Sequence, residues 1–153
     1  MLTEGDKAPE FDLPINGGEN LSSASLAGKP YVVYFYPKDN TPGCTTEACD
    51  FRDNFARVTA KGAAVVGVSK DSVKSHDNFV KKHELPFSLV SDKELELHQA
   101  YGAWGKKKNY GREYMGTIRS TFLVGADGTI AKAWPKVRVK GHVDQVLEAL
   151  EAL

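Results

Sequence analysis

Residues 30–49 read PYVVYFYPKDNTPGCTTEAC, and the fold turns on this stretch. Its first part, Pro30 to Pro37, is an apolar, aromatic and β-branched run bounded by prolines, the pattern of a strand buried on both faces. The loop KDNTPG follows. From Cys44 to about Ala60 the apolar residues Ala48, Phe51, Phe55 and Val58 recur at helical spacing and Gly62 supplies a stop, which predicts the first long helix. Working outward, AAVVGVS (Ala63 to Ser69) reads as a second buried strand. DSVKSHDNFVKKHEL is a helix capped by Asp71 or Ser72 and ended before Pro86. FSLVSD is a third strand, and Asp92 opens a short helix through about Tyr101. STFLVGADGTIAKAW is a hairpin about Asp127 and Gly128, and Val143, Val146, Leu147 and Leu150 stripe a closing helix. Between them, Gly102 to Gly116 is rich in lysine, tyrosine and glycine, shows no period, and is read as a long loop of a kind that often carries function.

This order of elements predicts an α/β protein with a central mixed β-sheet and helices on both faces, for which a thioredoxin-like fold is the simplest match. The chain has 153 residues, 41% of them hydrophobic, so one domain over 1–153 is expected. At that size roughly 68–70% of the unfolded surface is buried on folding, and neither disulfide nor metal is needed for stability. Twenty basic residues balance 20 acidic ones, which excludes an electrostatic footprint for nucleic acid or an anionic membrane. The start, MLTEGDKAPEF, carries no export signal and no long apolar run follows anywhere, so the expected location is the cytoplasm. In that reducing compartment a cysteine pair is transient and redox-active rather than structural. Cys44 and Cys49 with His76, His83, His98 and His142 form no ligand spacing, and neither a metal nor another cofactor is expected.

Cys44 falls in the first turn of a helix that leaves a buried strand. Unpaired backbone N–H groups and the positive end of the helix dipole favour the thiolate there, with Thr41 or Asn40 as the cap. A small buried hydrophobe suits the same junction, so position alone leaves both readings open. At 100° per residue Cys44 lies within the arc of Ala48, Phe51, Phe55 and Val58, facing the sheet. Cys49 lies about 140° round and about 7.5 Å along the axis, a Cα separation of roughly 8–9 Å on an intact helix. A disulfide tolerates at most about 7 Å, so a redox-active pair requires the first turns to unwind.

Pro37, Thr41 and Cys44 form Pro-x-x-x-Thr-x-x-Cys, the peroxiredoxin active-site pattern. YFYPKDNTPGCTTEACDFRD with YGAWGKKKNYGREYMGTIRSTFLV resembles the bacterioferritin comigratory protein, or peroxiredoxin Q, branch over nearly the whole chain. The resemblance implies a thioredoxin fold, a thiol peroxidase acting on hydrogen peroxide and organic hydroperoxides, and thioredoxin as reductant. It implies that Cys44 is the peroxidatic cysteine and that Thr41 hydrogen-bonds thiolate and peroxide. Pro37 would shield the sulfur, and Arg119 would hold the thiolate and stabilise charge across the O–O bond. Glu47 would orient Arg119 through a bidentate pair, against the plainer reading of a first-turn acid favoured by the dipole. Cys49 matches the branch's resolving cysteine, and since the second long helix has none, it is the only intramolecular choice. An intramolecular resolver removes the need for a partner copy, so a monomer is expected. The alternatives are a one-cysteine cycle and a disulfide exchanger that touches no peroxide, though the latter usually carries Cys-x-x-Cys, absent here.

Overall fold

The computed structural model describes residues 1–153. It opens with a small antiparallel pair, β1 (Asp12–Pro14) and β2 (Asn20–Ser22), and a 3-10 turn over Ser23–Leu26. These strands are too short to leave a period in the sequence. The apolar run then forms β3 (Tyr31–Phe35), buried at every position. It lies at the middle of a five-stranded sheet with β4 (Ala64–Ser69), β5 (Ser88–Ser91), β8 (Ser120–Val124) and β9 (Ile130–Trp134), in the order β5-β4-β3-β8-β9. β3 runs parallel to β4, and β4 to β5, while β8 is antiparallel to β3 and β9 to β8. The sheet is therefore mixed, as expected.

Alternation along β3 divides the core. Val32 and Tyr34 pack with Ala48 and Phe51 of α1 (Pro42–Asp53), Val58 of α2 (Phe55–Ala60), Phe79 of α3 (Val73–His83) and Leu147 of α5 (His142–Glu151). Val33 and Phe35 pack on the other face with Leu97 and Tyr101 of α4 (Glu96–Tyr101) and with Phe11 and Leu26. Each fully buried Val, Leu or Phe among them contributes roughly 1.5–3 kcal/mol of transfer free energy, so both faces are covered by necessity.

Three boundaries differ from expectation. The first helix starts at Pro42 rather than Cys44 and breaks at Asn54, whose side-chain amide donates to the Asp50 carbonyl at 2.9 Å. That carbonyl is the acceptor which the backbone N–H of Asn54 needs to continue the helix. α4 starts at Glu96 because Leu95 is left-handed (φ 62°). Asp92 caps the helix from outside, accepting from the N–H groups of Leu97 and His98 at 3.1 and 2.8 Å. The segment Gly102 to Gly116 is not a loop but holds most of a hairpin, β6 (Trp104–Asn109) with β7 (Arg112–Thr117), turning at Tyr110 and Gly111 with φ 52° and 78°. Two consecutive positive φ values suit the twist of a hairpin. Much of this ribbon is exposed, with Lys106 and Lys108 both pairing to Glu113, so no apolar alternation betrays it.

Candidate active site

β3 delivers the chain into the loop Pro37 to Thr41, where Asn40 adopts a left-handed φ of 63° that redirects it into α1. Pro42 opens the helix, where the missing N–H costs nothing and the fixed φ already suits a helix. Thr41 occupies the cap position but makes no side-chain cap. Its hydroxyl donates to the Lys38 carbonyl at 2.8 Å, contrary to the expected capping role. With its hydrogen spent there, the Thr41 oxygen is left as an acceptor rather than a donor to Cys44. Pro37 is half-buried beside the same loop.

Cys44 is the third residue of α1, so its backbone N–H is among the first-turn donors that lack an intrahelical partner. The residue is 1% exposed and its side chain packs in the cluster beneath Tyr34. Arg119 reaches it because β8 pairs antiparallel to β3 with Ser120 opposite Phe35, which brings residue 119 to the end of β3. Its Nη2 donates to Cys44 Sγ at 3.2 Å and its Nη1 to Glu47 Oε1 at 2.7 Å. The expected bidentate pair with Glu47 is therefore not formed, since one arm of the fork is taken by the sulfur. Glu47 is fully buried and its Oε2 has no partner. Burial pushes its carboxyl up to about 7 against the pull of Arg119. Burial works against the Arg119 cation, yet the charges of Glu47 and Cys44 outweigh it and hold its proton more tightly than usual. The guanidinium is thus a partly buried cation held between one sulfur and one carboxylate.

The hairpin borders this site. Lys107 reaches back over Gly116, where a Cβ would come within 3.0 Å of its Cδ. Its ammonium is pushed below the usual lysine range by burial and by Arg119, with Cys44 pulling the other way. Lys106 and Lys108 on either side of it are exposed, whereas Lys107 is half-buried.

A buried latch, invisible in the sequence motif, holds the loop. Tyr36 and Ser75 donate their hydroxyls to the two oxygens of Asp39 at 2.6 and 2.8 Å, and His76 Nδ1 lies 2.7 Å from Asp39 Oδ2. The other nitrogen, His76 Nε2, meets the Val90 carbonyl at 2.9 Å, and the backbone N–H of Asp39 donates to Asp71 at 2.9 Å. Burial disfavours ionised Asp39, but these hydrogen bonds from His76, Tyr36 and Ser75 win and hold its carboxyl below the usual range. Although Asp39, Asp71 and His76 could bring ligand atoms within 4.8 Å of one another, hydrogen bonds already engage the oxygens they turn inward. Only the spacing of Asp39 after the strand, and of His76 on the inner face of a helix, could have pointed to them.

Cys49 is half-buried on another flank of α1, with its Sγ 3.9 Å from His83 Nδ1. Both cysteines are free thiols. The structure thus gathers Cys44, Glu47 and Arg119, sets Thr41 and Pro37 in the adjoining loop, and keeps Cys49 apart.

Two buried groups near Arg119 titrate in opposite senses. His142, bonded through Nε2 to Thr121 at 2.8 Å, is lowered to about 4 by burial and by the charge of Arg119. The folded state thus binds fewer protons there than the unfolded one, and stability falls as pH drops from about 6.5 through 4. Glu47, raised to about 7, acts in reverse: its stabilisation is full below the unfolded value near 4.5 and is lost as pH rises through 7. Between about pH 4.5 and 6.5 the slopes oppose each other. Glu47→Gln is expected to unmask His142, so that stability falls by about 3 kcal/mol from pH 6.5 to 4. Urea unfolding across that range checks it; a variant profile as flat as the parent's contradicts the assignment.

Comparison with known proteins shows the family of the chain. The AhpC/TSA family model matches residues 4–133. Peroxiredoxin Bcp of Bacillus subtilis is 49% identical over 147 residues, covering 96% of this chain and 94% of that one. A structure of the bacterioferritin comigratory protein of Xanthomonas campestris, described for its alkyl peroxide reduction activity, superposes with a TM-score of 0.89 at 46% identity, covering 93% of this chain and 90% of that one. A Cys-to-Ser mutant of Xylella fastidiosa PrxQ superposes with a TM-score of 0.94 at 38% identity over 99% of this chain and 97% of that one. With a thioredoxin-type sheet, a buried thiol at a helix start and these likenesses over almost its full length, the chain belongs to the AhpC/TSA family, in the Bcp or peroxiredoxin Q branch of peroxide-reducing peroxiredoxins.

Proposed function

We propose that the chain is a monomeric, cytoplasmic enzyme of one domain, 1–153, that reduces hydrogen peroxide and organic hydroperoxides with electrons from thioredoxin. No helix is long and apolar enough to cross a membrane, in keeping with that setting. The observation that carries the reading is the 3.2 Å contact of Arg119 Nη2 with Cys44 Sγ, braced by Glu47. Full ionisation of an ordinary thiol gains only about thirtyfold at neutral pH, so thiolate alone does not make a peroxidase. The remainder comes from placing the peroxide and stabilising its leaving oxygen. The Cys44 thiolate attacks one peroxide oxygen, the O–O bond breaks, and the departing oxygen leaves as water or an alcohol after taking a proton. Arg119 and the Cys44 N–H bind the charge that develops, the Thr41 oxygen accepts the peroxide O–H, and Pro37 keeps water from the sulfur. Glu47 positions Arg119.

The resulting sulfenic acid is attacked by Cys49, giving a disulfide and water, and thioredoxin reduces that disulfide. On an intact helix the two Cα atoms stand roughly 8–9 Å apart, so the first turn of α1 unwinds in this step. The test is one equivalent of hydrogen peroxide added to reduced protein, with intact mass and free thiols read within seconds. Loss of both thiols and of two hydrogens in a monomeric species is expected. A sulfenic or further oxidised product with Cys49 free points instead to a one-cysteine cycle. In Cys49→Ser the first equivalent of peroxide is consumed at the parent rate and the sulfenic acid accumulates, while thioredoxin-linked turnover collapses.

A further inference from the structure

His83 is the last residue of α3, and contacts hold both its ring and its main chain. Phe79 meets it edge-on with centroids 5.3 Å apart, Arg52 Nη1 donates to its backbone carbonyl at 2.8 Å, and its Nδ1 faces Cys49 Sγ at 3.9 Å. Thus α1 offers a thiol and α3 answers with a nitrogen base, on a flank of α1 other than the one that carries Cys44. The charged groups around this pair are few. Arg52 stands beside Cys49 and feels its charge, Asp53 binds Arg52 Nε at 2.9 Å, and Glu84 adds a further acid near Arg52. Arg52 is thus the cation that stands beside the Cys49 sulfur, and His83 Nδ1 is the base that faces it.

We propose that His83 is the general base of the resolving step: it takes the proton of Cys49 as that sulfur attacks the Cys44 sulfenic acid. This rests on the reading of Cys49 as the resolving thiol. The new S–S bond forms as the S–O bond of the sulfenic acid breaks. The oxygen leaves as hydroxide and becomes water with a proton from the medium, and the imidazolium returns its own proton to solvent. The Arg52 bond to the His83 carbonyl ties the far half of α1 to α3. The fraying N-terminal turn is therefore the part that moves, and Cys44 comes to a Cys49 that still faces His83.

The experiment is rapid-quench alkylation after one equivalent of hydrogen peroxide, which times sulfenic acid formation and disulfide formation separately in the parent, His83→Ala and Cys49→Ser. About three per cent of an unassisted thiol is ionised at pH 7, so a base gains at most about thirtyfold. On the order of a tenfold slowing of disulfide formation is expected in His83→Ala, with sulfenic acid formation unchanged. Added imidazole restores the rate, and the defect vanishes at about pH 9.5, a unit above the ordinary value of about 8.5 for a free thiol. A merely structural role for His83 gives a slowing that neither imidazole nor alkali repairs, and that result overturns the proposal, as does an unchanged rate. If the parent itself forms no Cys44–Cys49 disulfide, the reading of Cys49 fails first.

Discussion

Arg119→Ala is expected to lower the second-order rate constant of Cys44 with hydrogen peroxide by about 10²–10³, the usual cost of removing one preorganised donor to developing charge. The chain has one cation within hydrogen-bond reach of Cys44 Sγ, so nothing nearby substitutes for it. Lys107 feels the Cys44 charge but makes no hydrogen bond to the sulfur. Loss of the guanidinium also strands Glu47, which is fully buried with one oxygen already unpaired. A buried carboxylate that loses its partner usually costs about 3–5 kcal/mol. Glu47, already raised to about 7, escapes much of that by taking up a proton in mildly acid solution. The variant is therefore expected to be close to parent stability near pH 6 and to weaken as pH rises above 7. Stopped-flow peroxide consumption and urea unfolding at two pH values measure both effects. Reduction of the oxidised protein by dithiothreitol serves as control, since simple disulfide exchange does not need Arg119. A loss of peroxide reactivity under about fivefold contradicts the role of Arg119 as the principal electrostatic catalyst. Arg119→Lys is expected to fall between, because a single ammonium cannot span Glu47 and Cys44 as the planar fork does.

The second large effect is structural first and catalytic by consequence. Asp39→Ala removes the acceptor of the Tyr36 and Ser75 hydroxyls and the partner of His76 Nδ1. Tyr36 and His76 are completely buried, so water does not replace what is lost. Stranding buried donors in this way costs about 3–5 kcal/mol, a fall in Tm of roughly 6–20 °C for a chain of this length. Because Asp39 ties the loop before Cys44 to α3, peroxide reactivity is expected to drop by on the order of tenfold or more as Thr41 and the helix start lose their fixed placement. His76→Ala should lose less in an Asp39→Ala background than in the parent, as coupled neighbours do. A stability loss within about 1 kcal/mol for Asp39→Ala removes the latch from the account.

How much of this was legible in the sequence depended on period. The strand at 31–35, the helix at 73–83 and the hairpin about Asp127 carry strong local patterns, and the structure places elements there. The ribbon from Trp104 to Thr117 carried none, because it is largely solvated and its glycines obscure its strands. The site divides the same way. Cys44, Thr41 and Pro37 lie together in the chain, so one motif names them, and the helix start that carries the thiol follows from the same stretch.

The sequence by itself determined the α/β class, the family and the thiol at the head of a helix, since each is a property of neighbouring residues and their spacing. Only the tertiary structure decided that Arg119 divides its fork between Glu47 and Cys44, and that Thr41 spends its hydrogen on Lys38. It alone set Asp39 against His76 and Cys49 against His83. These contacts join residues far apart in the chain or depend on where a single hydroxyl points. Their geometry is set by β3–β8 register and by the packing of α1 on α3, and no local periodicity encodes either.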